Sequence, residues 1–396
     1  MELYFFLETF QTVILNGVKE RITPETKIRS YIQFNKFFLH LFINLFSEEI
    51  LSAERTYPFQ SLFMKKIKLG ILDHSVVHTG STAKEAIDET ISTAILADAL
   101  GYSRFWVSEH HNSTFIAGSA PEILMVKLAS ETKSIRIGSG GIMLPNHSAL
   151  KVAENFRMLE TLFPGRIDLG MGRAPGTDRL TSSLLNPSND FAEESYLRQL
   201  DHLQNFFSDT AYTRDNRRIL AVPQSNSVPD QWILSSSGGS SLIAAKFGLG
   251  LVVAKFINGF VTREVIDTYK ENFKPSEYFP SPKAMLSIFV LCADTEGKAR
   301  EMRKFMDYVF MQFEKGNFQD FATFEQIQKY VFTQEELQRI KYNSGRIISG
   351  TKEHVKKQLI DLADAFDVDE IIISTMAGNV EDRRRSFELI AEAFEL

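Results

Sequence analysis

Cysteine is nearly missing from this sequence: Cys292 stands alone in 396 residues, so no disulfide can close within the chain. Nothing in that usage points to an oxidising compartment, and a reducing cytoplasm is the expected setting. A basic excess is missing too. The net charge of −6 argues against a nucleic-acid surface, which is usually basic. Long apolar runs are absent. The most aromatic stretch, 34–46, is interrupted by Asn35, Lys36, His40 and Asn44 and falls short of the roughly 20 residues that span a bilayer. No signal-peptide pattern with a small-residue cleavage site is found, and no membrane association is expected. A Gly-x-Gly-x-x-Gly turn is missing after the first strand pattern, which disfavours a dinucleotide-binding open sheet.

What is present divides at residue 63. In 1–63, Phe34, Phe37, Phe38, Leu41 and Leu45 sit at helical spacing. One reading is an amphipathic helix for a membrane surface or a partner. The preferred one is an extension that is poorly ordered or an artefact of the assigned start. Met64-Lys-Lys-Ile-Lys-Leu-Gly-Ile-Leu-Asp opens directly into a strand, so translation is expected to begin at Met64. The domain proper is 64–396.

From Met64 onward, short apolar runs alternate with helical patterns. Strands are expected at 67–73, 104–108, 135–138, 167–171, 231–234, 251–255, 285–292 and 370–374, each followed by a helix. Eight such units give a closed parallel (β/α)8 TIM barrel, and runs apolar on both faces suit a buried parallel sheet. One connection is long. Residues 312–350, between strands seven and eight, form an insertion read either as a mobile lid or as a structural helical insert, with 335–341 helical.

In such a barrel the chemistry sits at the C-terminal strand ends. Strand four runs into Gly172-Arg-Ala-Pro-Gly, where Arg173 offers a planar fork of donors suited to a phosphate. Strand five ends in Ser235-Ser-Ser-Gly-Gly-Ser-Ser and passes at once into a helix. Hydroxyls and free N–H groups there make an anion site beyond what a helix cap needs. Strand three ends in Ser139-Gly-Gly, small enough for a flat ligand to lie on the backbone, or simply a bulge or turn. Strand two ends in Glu109-His-His. One imidazole is poised for proton transfer, or both are hydrogen-bonded rim histidines. A metal reading lacks third and fourth ligands at sensible spacing, and no metal is expected. Together these ends describe a pocket for a planar phosphorylated cofactor such as FMN.

The segments Trp106-Val-Ser-Glu-His-His, Gly140-Gly-Ile-Met-Leu-Pro, Pro164-Gly-Arg-Ile-Asp-Leu-Gly-Met-Gly-Arg-Ala-Pro-Gly-Thr-Asp, Ala244-Ala-Lys-Phe-Gly-Leu-Gly and Gly350-Thr stand in one order. In that order the chain resembles the bacterial luciferase-like family of flavin-dependent monooxygenases, in its single-chain oxidoreductase branch. The resemblance covers 64–396. It implies a TIM barrel that binds reduced FMN non-covalently, with a cis peptide at Gly140–Gly141 under the ring. It implies phosphate binding by Arg173, Ser237 and Ser240, and catalysis by His110. Luciferases keep a cysteine where Gly172 stands and a glutamate where Ser236 stands, so light emission is not expected.

The resemblance further implies a small organic substrate oxygenated with O2, reduced FMN supplied by a separate flavin reductase, and a homo-oligomer. Two rival readings keep the barrel. One is a hydride-transfer enzyme using a deazaflavin, whose longer tail finds only Arg179 nearby as an extra basic group. The other is a flavin-binding protein without turnover. The loops encode no readable substrate.

Overall fold

The computed structural model of the chain describes residues 66–317 and 322–396. The extension at 1–63 and the expected start at Met64 lie outside the described residues. The strands are β1 (Lys68–Asp73), β2 (Arg104–Val107), β3 (Arg136–Met143), β4 (Ile167–Gly172), β5 (Asp230–Ser235), β6 (Gly250–Ala254), β7 (Ala284–Cys292), β8 (Ile347–Gly350) and β9 (Glu370–Ser374). The helices are α1 (Ala83–Leu100), α2 (Pro121–Glu131), α3 (Ala149–Leu162), α4 (Arg179–Leu185), α5 (Glu193–Phe207), α6 (Ser240–Phe247) and α7 (Glu264–Asn272). They continue with α8 (Glu296–Glu314), α9 (Phe324–Lys329), α10 (Gln334–Asn343), α11 (Lys352–Phe366) and α12 (Val380–Phe394).

All strand pairings within the sheet are parallel. They run β1–β2–β3–β4–β5–β6–β7–β9 and return to β1, which closes an eight-membered ring. The expected (β/α)8 TIM barrel is therefore the architecture. β8 is the ninth strand, unforeseen in the sequence, and it stands outside the ring. Ala284–Ser287 of β7 pair with β6, and Phe289–Cys292 pair with β8, which takes over β7 where β6 has ended. β7 is long enough for both because its burial is nearly continuous. Cys292, its last residue, is buried.

Local chemistry explains the element ends. Thr82 caps α1 with a reciprocal Thr82–Glu85 capping box, and Gly101 closes it at φ +89°. β3 does not stop at Gly138 but continues through the glycines to Met143, with its register against β4 shifting between Gly140 and Ile142. The bulge reading of the glycine pair holds, inside a longer strand. The described part of the insertion carries two helices rather than a bare loop. Thr323 with Gln326 and Thr333 with Glu336 cap α9 and α10. Tyr330 packs on Tyr308 of α8 with ring centroids 5.2 Å apart, and Lys315 reaches Glu336 at 2.8 Å. No helix among the described residues is long and apolar enough to cross a membrane.

The N-terminal strand ends are plugged by charge. Asp168 is fully buried and accepts from Arg104 at 2.7 Å, from the Trp106 indole at 2.8 Å and from both Nε and Nη2 of Arg136 at 2.9 and 2.7 Å. Arg104 also reaches Glu370 at 2.8 Å and lies over the Trp106 and Trp232 rings at 5.7 and 5.0 Å. Removing one member of a buried ionic set costs about 3–5 kcal/mol, because the remaining charge is stranded. Asp168→Ala is expected to lower the chemical-denaturation stability by that amount. An unchanged denaturation midpoint would show that the plug contributes no stability.

Candidate active site

The C-terminal strand ends surround two adjoining cavities of about 500 and 710 Å3, each within the range of small-molecule sites. The smaller is floored by Leu72, Trp106, Gly140, Leu234, Val252 and Ile372 and walled by Arg173, Ser235, Ser236, Ser237 and Ser240. The larger is lined by Ile116, Phe256, Phe289, Phe310, Phe313 and Met376, with Glu314, Arg339 and Arg346 on its wall. Both are bounded by His74, His110, Gly176, Phe256 and Ile257. The two imidazoles, with centroids 5.9 Å apart, thus stand at the seam between the cavities.

Glu109 organises the seam. It is fully buried. Its carboxylate accepts from Nε2 of His111 at 2.9 Å, from Nε2 of His147 at 2.9 and 3.1 Å, and from the Met143 N–H at 2.8 Å. Burial opposes ionisation of Glu109, but the hydrogen bonds and charge of His147 and the bonds from His111 and Met143 outweigh it. The carboxyl is held below its usual range. Burial likewise opposes protonation of His147, and Glu109 reverses this and raises its pKa. Among the described residues no trio of His, Cys, Asp or Glu side chains is arranged to hold a metal ion.

His110 is placed differently from His111. Its Nδ1 lies 3.3 Å from the Gly176 carbonyl, which can only accept, so Nδ1 carries the proton and Nε2 keeps its lone pair. Burial lowers its pKa, against the Gly176 bond that raises it. His111 turns to Glu109, so only one of the pair borders both cavities.

His74, directly after β1, went unnoticed in the sequence. Its Nδ1 is 2.9 Å from the Ser108 hydroxyl, while its Nε2 is buried with no partner among the described residues. Burial, with repulsion from His110, pushes its pKa down to about 3. The strand end that carries the ring is held through the preceding residue. Asp73 accepts from the Ser75 N–H at 2.6 Å and from Thr90 at 3.0 Å, and it pairs with Arg383 of α12, which also reaches Glu89 at 2.8 Å. The only sequence signal for His74 was its place at a strand end.

At one end of the smaller cavity Arg173, Ser237 and Ser240 come together, donors that could hold an anion. Gly238, at φ +88°, turns the chain from β5 so that Ser237 and Ser240 face the cavity at the start of α6. The Ser237 and Ser240 hydroxyls make no hydrogen bond among the described residues. Arg173 lines the same wall, with Nη1 2.9 Å from Glu193 of α5. The exposed pair holds the guanidinium only weakly. Arg179 borders neither cavity.

The Gly140–Gly141 peptide is cis. A Cβ on Gly140 would come within 2.6 Å of Leu72, and one on Gly141 within 2.8 Å of the Gly170 carbonyl. Neither position admits a side chain without displacement. Gly140 lines the smaller cavity, whereas Gly141 is buried behind it. At Gly172 a Cβ would meet only the flexible end of Met143, at 2.9 Å.

A closed parallel barrel with a glycine-backed cavity, polar donors along one wall and two buried imidazoles at the seam is the setting of an enzyme site. The model for luciferase-like monooxygenases matches residues 67–368, and the chain belongs to that family. It is 44% identical over 330 residues to the uncharacterized protein YwcH of Bacillus subtilis, covering 83% of this chain and 99% of that protein. It is 34% identical to the N-acetyl-S-alkylcysteine monooxygenase of the same organism, covering 83% and 98%. Among solved structures, apo-MsnO8 matches with a TM-score of 0.75 and 34% identity, covering 84% of this chain and 99% of that one. Two neighbours share the fold alone. The FMN-bound oxygenating constituent of the 3,6-diketocamphane monooxygenase of Pseudomonas putida has a TM-score of 0.61 at 18% identity, covering 83% and 98%. An F420-dependent secondary alcohol dehydrogenase has 0.58 at 12%, covering 83% and 99%.

Because His74 is neutral when folded but titrates near 6.5 when unfolded, the unfolded chain binds the extra proton. Its contribution to stability is whole above pH 6.5 and falls as pH drops toward about 3. Between pH 6.5 and 5 this group alone removes about 2 kcal/mol. Denaturant titrations of His74→Gln are expected to show a correspondingly shallower loss than wild type across that window. Equal slopes would mean that the imidazole is not buried in its neutral form.

Proposed function

We propose that this enzyme is the oxygenase of a flavin-dependent monooxygenation, with FMN in the smaller cavity and a small organic substrate in the larger. The observation that carries the reading is the seam. An anion cradle lies along one cavity, an apolar aromatic wall along the other, and His74 and His110 border both. Arg173, Ser237, Ser240 and the start of α6 would hold the 5′-phosphate, through charge-assisted bonds and free N–H groups. Gly140 would leave the ring room against Leu72 and Trp106, with Gly141 supporting it from the core side.

Bound in reduced form, FMN supplies the two electrons that let O2 give one oxygen atom to the substrate and the other to water. The chain's own groups exclude solvent and move protons. His110, with Nδ1 fixed on Gly176, presents Nε2 to accept or return a proton at the seam. Reduced flavin would come from a separate reductase, and the active form would be a homo-oligomer. The monooxygenase names of the relatives support oxygen insertion. The shared fold of an F420-dependent neighbour makes deazaflavin the competing cofactor, and the cradle offers only one arginine to a longer anionic tail.

Fluorescence titration of the full chain with FMN, riboflavin and F420 tests the assignment. FMN is expected to bind most tightly. Arg173→Ala should weaken FMN by about 10- to 100-fold, as loss of a hydrogen bond to a charged group does, while barely changing riboflavin. His110→Ala should keep FMN binding and slow turnover with reduced FMN and O2. Tighter binding of F420, or equal loss for FMN and riboflavin in Arg173→Ala, would overturn the cofactor assignment.

A further inference from the structure

We propose that the substrate of the larger cavity is an apolar organic acid whose carboxylate is bound by Arg346. This inference rests on the flavin reading above only in calling the larger cavity the substrate's. Arg346, Arg339 and Glu314 line that cavity and not the smaller one. The trio is unequally paired. Arg339 holds Glu314 in a two-pronged bond at 2.6 and 3.0 Å, and Asn343 donates to the same carboxylate at 2.9 Å. Glu314 is thereby well satisfied.

Arg346 is left over. Its nearest approach to Glu314 is 4.0 Å, and among the described residues its guanidinium donates no hydrogen bond. The group is nonetheless held in place. Its stem packs where a Cβ on Gly259 would touch at 3.1 Å, its guanidinium lies over the Phe310 ring at 5.9 Å, and its side chain is only 21% exposed. A fixed, partly desolvated cation with unused planar donors is built for an anion of matching shape.

Charge and shape narrow the ligand. Two guanidinium groups and one carboxylate leave one net positive charge on this wall, because Asp178, the other acid of the lining, is already taken up by Asn112, Thr181 and the first N–H groups of α4. A single negative charge balances the trio, and a dianion would exceed it against Glu314. A carboxylate fits the guanidinium fork. The same cavity has an apolar wall of Ile116, Phe256, Phe289, Phe310 and Met376, beside the polar His110, His111, Asn112, Thr177 and Asp178. The apolar body would lie on that wall, toward the imidazoles of the seam.

Calorimetry on the full chain without flavin tests this with a matched pair, (benzylthio)acetate and (benzylthio)acetamide. The acid is expected to bind at least about tenfold more tightly than the amide, worth about 1.4 kcal/mol. Arg346→Gln should bring the ratio close to one, and Arg346→Lys should keep part of it. Equal binding of the two probes to wild type, an unchanged ratio in Arg346→Gln, or no binding of either probe would overturn the proposal. FMN titration of the same variants is the separate readout. A protein that takes up the acid but not FMN would sink the flavin reading and leave the acid site standing.

Discussion

The buried carboxylate of Glu109 is the constraint on which the rim of the barrel depends. A charge removed from water must find full compensation or neutralise. This one is compensated by two imidazoles and a backbone N–H that come from three places in the sequence. Meeting that demand ties the end of β2 to the end of β3, directly beyond Gly140 and Gly141. It also turns His111 toward Glu109, so that it borders only the larger cavity, and leaves His110 facing the seam. The loop after β4 is fastened to the same segment, because the Gly176 carbonyl accepts the His111 N–H at 3.3 Å and Thr177 donates to the His111 carbonyl at 3.1 Å. The two most informative stretches of the sequence, 106–111 and 164–178, are thus neighbours in space for an electrostatic reason.

The two ends of the barrel differ in the polar groups they leave without a firm partner. At the N-terminal end guanidinium and carboxylate groups are packed together and fully paired. At the C-terminal end His74 and His110 are kept neutral by burial. Arg173 and Arg346 are each held loosely or not at all by protein acids. Donors without a firm protein acid collect at the C-terminal end, beside the paired Glu109 and Asp73. That division matches the general placement of function in parallel barrels.

The barrel was legible because its signals are local. A buried parallel strand is a short apolar run, and Thr82 and Gly101 mark the ends of α1 by capping chemistry. That Arg173 and the serines would meet on one cavity was legible because they cluster within short segments after neighbouring strands. Three features were not. β8 is four residues long and exists only because β7 offers it an edge past Ser287. His74 is a single residue, and its meaning depends on Ser108 and Phe256 arriving from elsewhere. The aromatic wall draws Phe256, Phe289 and Phe310 from the turn after β6, from β7 and from α8. In one dimension those phenylalanines look the same as the core residues beside them.

Cys292 began as an absence of other cysteines. In the folded barrel it lies at the end of β7, 1% exposed, with its thiol pushed up to about 12 by burial first and by nearby carboxylates second. A thiol that stays protonated and out of reach does not compete for alkylating reagents. The chain is therefore ready for site-specific labelling as it stands. A cysteine placed at Val331, which is 85% exposed between α9 and α10, would carry a single reporter on the insertion that walls the larger cavity.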